Sequence, residues 1–570
     1  MKRAILFICI FILPFPCKLI GNTFEFYEPV SQFRADRGAL QRKYSLSETQ
    51  EYYDRMNVLY TNRLEFLDDT DFDDLSINER IDHLLFRNHL NKSLYLLERE
   101  REEFERVNFV TEFAGELYEF IRQRRRGKTV DAEKIAAIFQ KSADMFKEKK
   151  ESFEERDPFE NWMVADKAAS VVKDLRISLS EAYNFYYGYH PDFTWWIEKP
   201  YERLDSVMKK YEEKVSEHYA ELKDDGSGIV GRPEGRESII KRLQYEFIPY
   251  TPEELVEIGN QQFEWARNEM IKASQEMGFG DHWREALEHV KNQYVSPGNQ
   301  PELIDSLAED AISFIEENDM LTIPDLAKET WRMVMLSPQQ QEVSPFFLGG
   351  EAIRISFPTH EMDHDAKMMS MRGNNPHFCK AVVHHELIPG HHLQGFMNQR
   401  HKPYRREFRT PFWTEGWALY WEFLLYDMNY PQAPEDRMGF LFWRKHRAAR
   451  IIFSLNYHLN KMTPQECIDF LVDEVGHERA NAEAEVRRSF TGRYDPLYQL
   501  AYMIGGIQFS TLRKEIIDSG KMTEKEFHDK VLKENSLPVE LLRALLMDEK
   551  LPEDFESSWR FMKDYEYDLK

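Results

Sequence analysis

Cysteine is scarce in this 570-residue sequence, with Cys9, Cys17, Cys379 and Cys467 the complete set. So few thiols exclude a disulfide framework as the organiser of the fold. Long apolar runs are missing as well. The best of them, Ala4–Leu13, is half the length of about 20 residues that a helix needs to cross a bilayer. Positive charge is in deficit: 75 Lys and Arg face 100 Asp and Glu, for a net charge of −25. Such a surface repels nucleic acid and anionic lipid. Strand signals are almost absent too, and this argues against an all-β or α/β fold.

What is present is material for a large helical core. Hydrophobic residues make up 42% and aromatics 14%, so the 31% of charged residues marks a solvated surface and not disorder. At about 150 residues per domain the length allows several units. Lys2 and Arg3, the apolar run and the breakers Pro14 and Pro16 read as an export signal over 1–21, cleaved between residues 17 and 23. Its removal takes Lys2, Arg3 and Lys18 and leaves a net charge of −28. The protein is then expected to be secreted or periplasmic. Phe15 and Pro16 do not suit lipid attachment at Cys17, which requires small residues before the cysteine.

Apolar positions recur at i, i+3 and i+4 from Ser45 to Arg126 and onward through 131–223, the pattern of amphipathic helices. The basic run Arg122–Lys128 reads as a helix C-terminus ending at Gly127. Pro191 and Pro200 read as punctuation around Phe193–Ile197, whose aromatics are expected in the core. Gly226, Gly228 and Gly231 spell GxGxxG, but a charged helix precedes them and Arg232-Pro233 follows, so a loop is expected and not a dinucleotide site. Thr251-Pro252-Glu253-Glu254 is a helix start, and helices are expected to about Met335. Ile353–Phe357 alternates apolar and polar and predicts a short strand. Asn375-Pro376 and Thr410-Pro411 predict two further helix starts, and helices follow over 434–459, 463–488 and 496–519.

One stretch carries chemistry. His384-His385-Glu386-Leu387-Ile388-Pro389-Gly390-His391-His392 places four imidazoles and a carboxylate within nine residues. Imidazole is the commonest metal-ligating side chain. In a regular H-E-x-x-H helix the histidines at i and i+4 share one metal, but here residue 389 is proline. From His385 the next histidines fall at i+6 and i+7, about 9 and 10.5 Å along an ideal helix, too far apart for bonds of about 2.0–2.1 Å to one zinc ion. The helix must be distorted between them, and Pro389-Gly390 is the place. A two-residue bulge there would bring His391, or in competition His392, to the metal beside His385. A catalytic zinc takes three protein ligands. Glu415, an acid among aromatic and small residues in Trp413–Glu422, is the candidate third. Glu386 is the candidate general base, and Tyr502 or Tyr498 the candidate oxyanion donor.

The pattern H-E-x-x-P-G-H-H-x-Q from His385 to Gln394, together with Glu415-Gly-Trp-Ala-Leu-Tyr420, resembles the domain of unknown function 885 family. Thr251-Pro-Glu-Glu-Leu, the Gly231-Arg232 loop and Pro496…Tyr502…Gly505 match it also. The family is zinc-peptidase-like, akin to carboxypeptidase Taq and the thimet-type oligopeptidases. The resemblance implies a mainly α fold, with two helical lobes around a deep substrate channel and a small β-sheet beside the metal. The lobes would be residues 22–340 and 341–570, together one bilobed unit. It implies His385, His391 and Glu415 as zinc ligands, Glu386 as base and Tyr502 as oxyanion donor. The substrate would be a peptide, with Ile353–Phe357 pairing along it as an edge strand. Tyr498 departs from the family's usual Gln, and Arg487-Arg488-Ser489 from its Arg-Tyr. Two other functions remain compatible with these residues: a non-catalytic helical binding protein with a structural metal, and a zinc amidase on a non-peptide amide.

Overall fold

Helices begin where the sequence caps them. The computed structural model describes residues 26–155, 158–217, 225–341, 346–492, 494–563 and 565, and the export signal read at 1–21 lies outside these. Thr251 accepts from Glu254 N while the Glu254 side chain accepts from Thr251 N, starting the helix Pro252–Glu276. The side chains of Asn375 and Thr410 satisfy otherwise orphaned amides at the starts of Pro376–Glu386 and Pro411–Asp427. The architecture is mainly α, as expected. Long helices Ile77–Glu105, Ala132–Glu155, Trp162–Tyr186 and Pro191–Ser216 build the N-terminal part.

Two helix pairs position the site. Pro411–Asp427 crosses Tyr498–Asp518 where Gly416 meets Gly505: a Cβ on Gly416 would lie 2.6 Å from Gly505 Cα. Pro434–His458 is buried along nearly its whole length and packs on Pro252–Glu276, with Gly259 against Ile451 and Ile452. Gly439 of the same helix sits against the His377 carbonyl and so docks Pro376–Glu386.

The only sheet among the described residues is a parallel pair, β1 (Met333–Met335) and β2 (Ile353–Ile355). β1 falls where a helix was expected, and β2 is shorter than the predicted Ile353–Phe357. The role of β2 as a free edge is also overturned. Ile353 and Ile355 bond towards β1, while the Arg354 amide and carbonyl are both taken by Leu348 on the other side. Both edges are occupied there.

Further expectations are corrected by tertiary packing. The helix Pro191–Ser216 runs through Pro200, because burying Phe193, Ile197, Leu204 and Met208 offsets one lost backbone bond. Phe193 and Ile197 take the core face, which turns Trp195 and Trp196 outward, 85% and 45% exposed. The expected helix 463–488 is broken at Gly476 (φ +95°), giving Pro464–Phe470, a π-helical turn Leu471–Val475 and Arg479–Phe490. Gly226–Gly231 is a loop, as read, and Gly231 is pressed on the Phe490 carbonyl and Tyr457 hydroxyl. Cys379 and Cys467 are buried and unpaired.

Candidate metal centre

The helix Pro376–Glu386 stops one residue after His385, and a second helix, His391–Asn398, starts at His391. The device is a full break and not the expected bulge: residues 387–390 leave helical geometry, with Leu387 at φ −108°, ψ −102° and Gly390 at φ −78°, ψ −133°. The turn folds back on the first helix. Gly390 N donates to the His384 carbonyl at 3.0 Å, and Trp417 Nε1 donates to the Pro389 carbonyl at 2.9 Å. Gly390 is enforced sterically, since a Cβ there would fall on the His385 carbonyl. The break brings the His385 and His391 rings to 4.8 Å between centroids, at 89°.

Glu415 meets both rings from the neighbouring helix. Its Oε2 lies 3.6 Å from His385 Nε2 and 3.2 Å from His391 Nε2. Donors bound to one tetrahedral zinc at about 2.0–2.1 Å sit roughly 3.4 Å from one another, and Glu415 Oε2 stands at that spacing from both ring nitrogens. Glu415 Oε2 is buried and accepts no hydrogen bond from the described residues. Glu386 is close by, with its Oε2 4.0 Å from His391 Nε2. The ligand atoms of His385, Glu386 and His391 all fall within 4.8 Å of one another. Of the two carboxylates, Glu415 is the nearer to both rings and fits the third ligand position, leaving Glu386 beside it.

His392 points elsewhere. Its Nε2 is 3.0 Å from the Ala327 carbonyl, so the pair His391/His392 is divided between the site and the core. His384 is likewise turned away, with Nδ1 3.0 Å from the Lys380 carbonyl and its ring stacked on Phe440. Each inward ring has a partner on its far nitrogen. Glu422 Oε1 lies 2.7 Å from His385 Nδ1, and Gln394 Oε1 lies 3.2 Å from His391 Nδ1. Such partners set the tautomer and orientation of a ligating imidazole. Glu422 is 3% exposed, which settles it as buried against His385. Sequence reasoning gave Gln394 no role; its place three residues after His391, on one helix face, was the available signal.

Burial opposes charge on every group here, and oppositely charged neighbours outweigh it on His385, His391 and Glu415 but not on Glu386. Against burial, Glu415 and Glu422 draw the His385 imidazole up to about 9. Burial tends to raise Glu415, but the facing His391 and His385 hold its carboxyl well below the usual range. Burial pushes Glu386 up. Three buried carboxylates around two imidazoles make a field that favours a cation between them.

Tyr498 and Tyr502 divide their work. The Tyr498 hydroxyl donates to Glu415 Oε1. The Tyr502 ring stacks on His385, with centroids 6.1 Å apart and planes 13° apart, and among the described residues its hydroxyl has no hydrogen-bond partner. Both line a cavity of about 830 Å³ that also takes in His385, Glu386, His391 and Glu415. Cys379 is apart from this cluster, its thiol against the Asn374 carbonyl at 3.3 Å.

The same fold occurs in two solved bacterial structures. A proposed lipoprotein of unknown function from Shewanella oneidensis aligns with a TM-score of 0.68 and 16% identity, covering 92% of this chain and all of that one. A proposed lipoprotein from Colwellia psychrerythraea aligns with a TM-score of 0.59 and 16% identity, over 92% of this chain and 97% of that one. No curated protein matches the sequence. Residues 36–546 match the family described as bacterial protein of unknown function (DUF885), and the chain belongs to that family.

Proposed function

We propose that this chain is an exported zinc-dependent metallopeptidase that hydrolyses peptide bonds. The observation that carries the reading is that Glu415 Oε2 lies 3.6 Å from His385 Nε2 and 3.2 Å from His391 Nε2, with Glu386 beside them. His385, His391 and Glu415 would hold the metal, with Glu422 and Gln394 orienting the two rings. When bound, zinc would polarise the scissile carbonyl and lower the pKa of the attacking water. Glu386 takes the proton of that water and returns it to the leaving amine. Burial pushes its carboxyl up from the usual range, in the direction that suits a group that must accept and release a proton. The Tyr502 hydroxyl, with no partner among the described residues, donates to the developing oxyanion, whereas Tyr498 is committed to Glu415.

The rival reading, a structural metal in a non-catalytic binding protein, would be favoured by a cysteine at the cluster. Cys379, the nearest in sequence, instead donates to a backbone carbonyl. Export agrees with the leader pattern and with the description of both structural relatives as proposed lipoproteins. That description also reopens Cys17 as a lipid attachment point. No helix among the described residues is long and apolar enough to cross a membrane.

Metal analysis and a peptide-library digest read by mass test the proposal. The expected result is one zinc per chain, with turnover abolished in Glu386→Gln while the metal stays bound. An active Glu386→Gln protein would overturn it.

A further inference from the structure

The charge of the cavity is opposite to that of the molecule. The chain carries −25, yet among the described residues nine arginines and not one lysine line the cavity, against four glutamates. Those glutamates are already occupied: Glu407 pairs with Arg37, Glu351 faces Arg332 at 3.3 Å, and Glu386 and Glu415 belong to the metal cluster. At the mouth, Arg34, Arg354, Arg406 and Arg409 are exposed and make no ion pair among the described residues.

The inner wall repeats the imbalance under burial. Arg450 is 2% exposed; its Nε donates to Glu485 Oε1 at 2.6 Å, but its Nη1 is buried with no hydrogen-bond partner among the described residues. Arg488 leans on the same Glu485 at 2.8 Å, so two guanidinium groups share one carboxylate. Arg447 and Arg450 lie 4.9 and 4.4 Å from the centroid of Tyr502, the ring that stacks on His385. A buried guanidinium with an unmet donor is expensive unless something pairs with it. Arginine's fork is shaped for a carboxylate, and a cavity walled by one sign of charge concentrates the opposite sign.

We infer that the cavity selects acidic peptides: Arg447 and Arg450 take a carboxylate beside the metal cluster, and Arg354 and Arg409 take carboxylates along the mouth. The inference rests on the peptidase reading for the identity of the reacting bond. Two sources could supply the inner carboxylate, an acidic side chain or the peptide's own C-terminus.

Binding to the Glu386→Gln protein loaded with zinc tests this without turnover. The probes are fluorescein-labelled Glu-Glu-Ala-Phe-Glu-Glu, its all-Gln and all-Lys counterparts, and C-terminal amides of each, read by anisotropy. The acidic peptide is expected to bind at least about 30-fold more tightly than the Gln peptide in about 50 mM salt, and this ratio should shrink in about 300 mM salt. Arg354→Gln combined with Arg409→Gln, both at exposed positions, should remove about ten-fold of it and leave the Gln peptide unaffected. With Arg354 and Arg409 replaced, a remaining loss on Glu-to-Gln exchange assigns the inner carboxylate to side chains; a loss on amidation assigns it to the C-terminus. Equal binding of all probes, or tighter binding of the Lys peptide, would overturn the inference. Charge-selective binding without hydrolysis by the wild type would sink the peptidase reading alone, and hydrolysis without charge selectivity would sink this inference alone.

Discussion

Glu422 and Glu415 approach the two nitrogens of one ring. Two helical turns apart on Pro411–Asp427, they place Glu422 Oε1 2.7 Å from His385 Nδ1 and Glu415 Oε2 3.6 Å from His385 Nε2. One helix face therefore supplies both the candidate ligand and the group that orients its partner. Glu422→Gln keeps the shape and removes the charge, and zinc affinity is expected to fall about 10–100-fold. Competition against a chromogenic chelator measures this; an unchanged affinity contradicts the orienting role.

Gly390→Ala is expected to be far more damaging than its neighbour Gly395→Ala. A Cβ at 390 falls on the His385 carbonyl, whereas one at 395 meets open space within a helix. The first should cost about 1–3 kcal/mol by overpacking and abolish zinc binding with all ligands intact. The second should be neutral or stabilising by about 0.5–1 kcal/mol. Chemical denaturation and metal titration on both proteins decide it, and equal behaviour would show that the break does not depend on glycine.

Gly505→Ala tests the helix crossing. Its Cβ would lie 2.7 Å from Gly416 Cα, so the helices carrying Glu415 and Tyr502 would have to separate. Stability should drop by about 1–3 kcal/mol, and peptide turnover should fall with it. A variant that melts like the wild type would mean that the contact is slack.

Lys445 gives a pH prediction remote from the metal. Its amine is buried without a hydrogen-bond partner among the described residues, 3.8 Å from the Trp283 ring centroid and 4.7 Å from Phe263, and burial pulls it down from 10.5 to about 7. Between those two values the unfolded chain holds a proton that the folded chain lacks, so folding stability rises with pH across the window. Below about 7 the penalty is constant. Lys445→Met should therefore stabilise by about 3 kcal/mol below pH 7, after the ring contacts of the ammonium are set against its burial. The gain should vanish as pH approaches 10.5. Melting curves from pH 6 to 10.5 check this, and a pH-independent gain would count against a buried neutral amine.

The helix starts at Thr251, Asn375 and Thr410 were legible because capping is local: a side chain bonds an amide two or three residues on, and no tertiary partner is needed. The candidate groups His385 and Glu386 and the competing pair His391 and His392 were legible for a similar reason, since donor type and the interruption at Pro389-Gly390 are written in adjacent residues, and Glu415 stood out as an acid among aromatic and small residues. Trp195 and Trp196 were misplaced because composition cannot say which side of a helix the core takes. The strand Met333–Met335 was missed because three residues carry too little periodicity to outweigh the helical pattern before them.

By itself, the sequence determined that the helix carrying His385 must be distorted at Pro389-Gly390 for these histidines to meet, because no ideal helix lets histidines six residues apart share an ion. Tertiary structure alone decided which of two adjacent imidazoles faces inward. His391 turns to Glu415 because hydrogen bonds from Trp417 to the Pro389 carbonyl and from Gln394 to the Trp413 carbonyl hold that helix close, and His392 is held by the Ala327 carbonyl. Tertiary structure alone also gathered arginines from Arg34 to Arg488 around one cavity. Neither outcome is written locally, since both depend on packing between segments far apart in the chain, where contact is set by shape and burial and not by spacing.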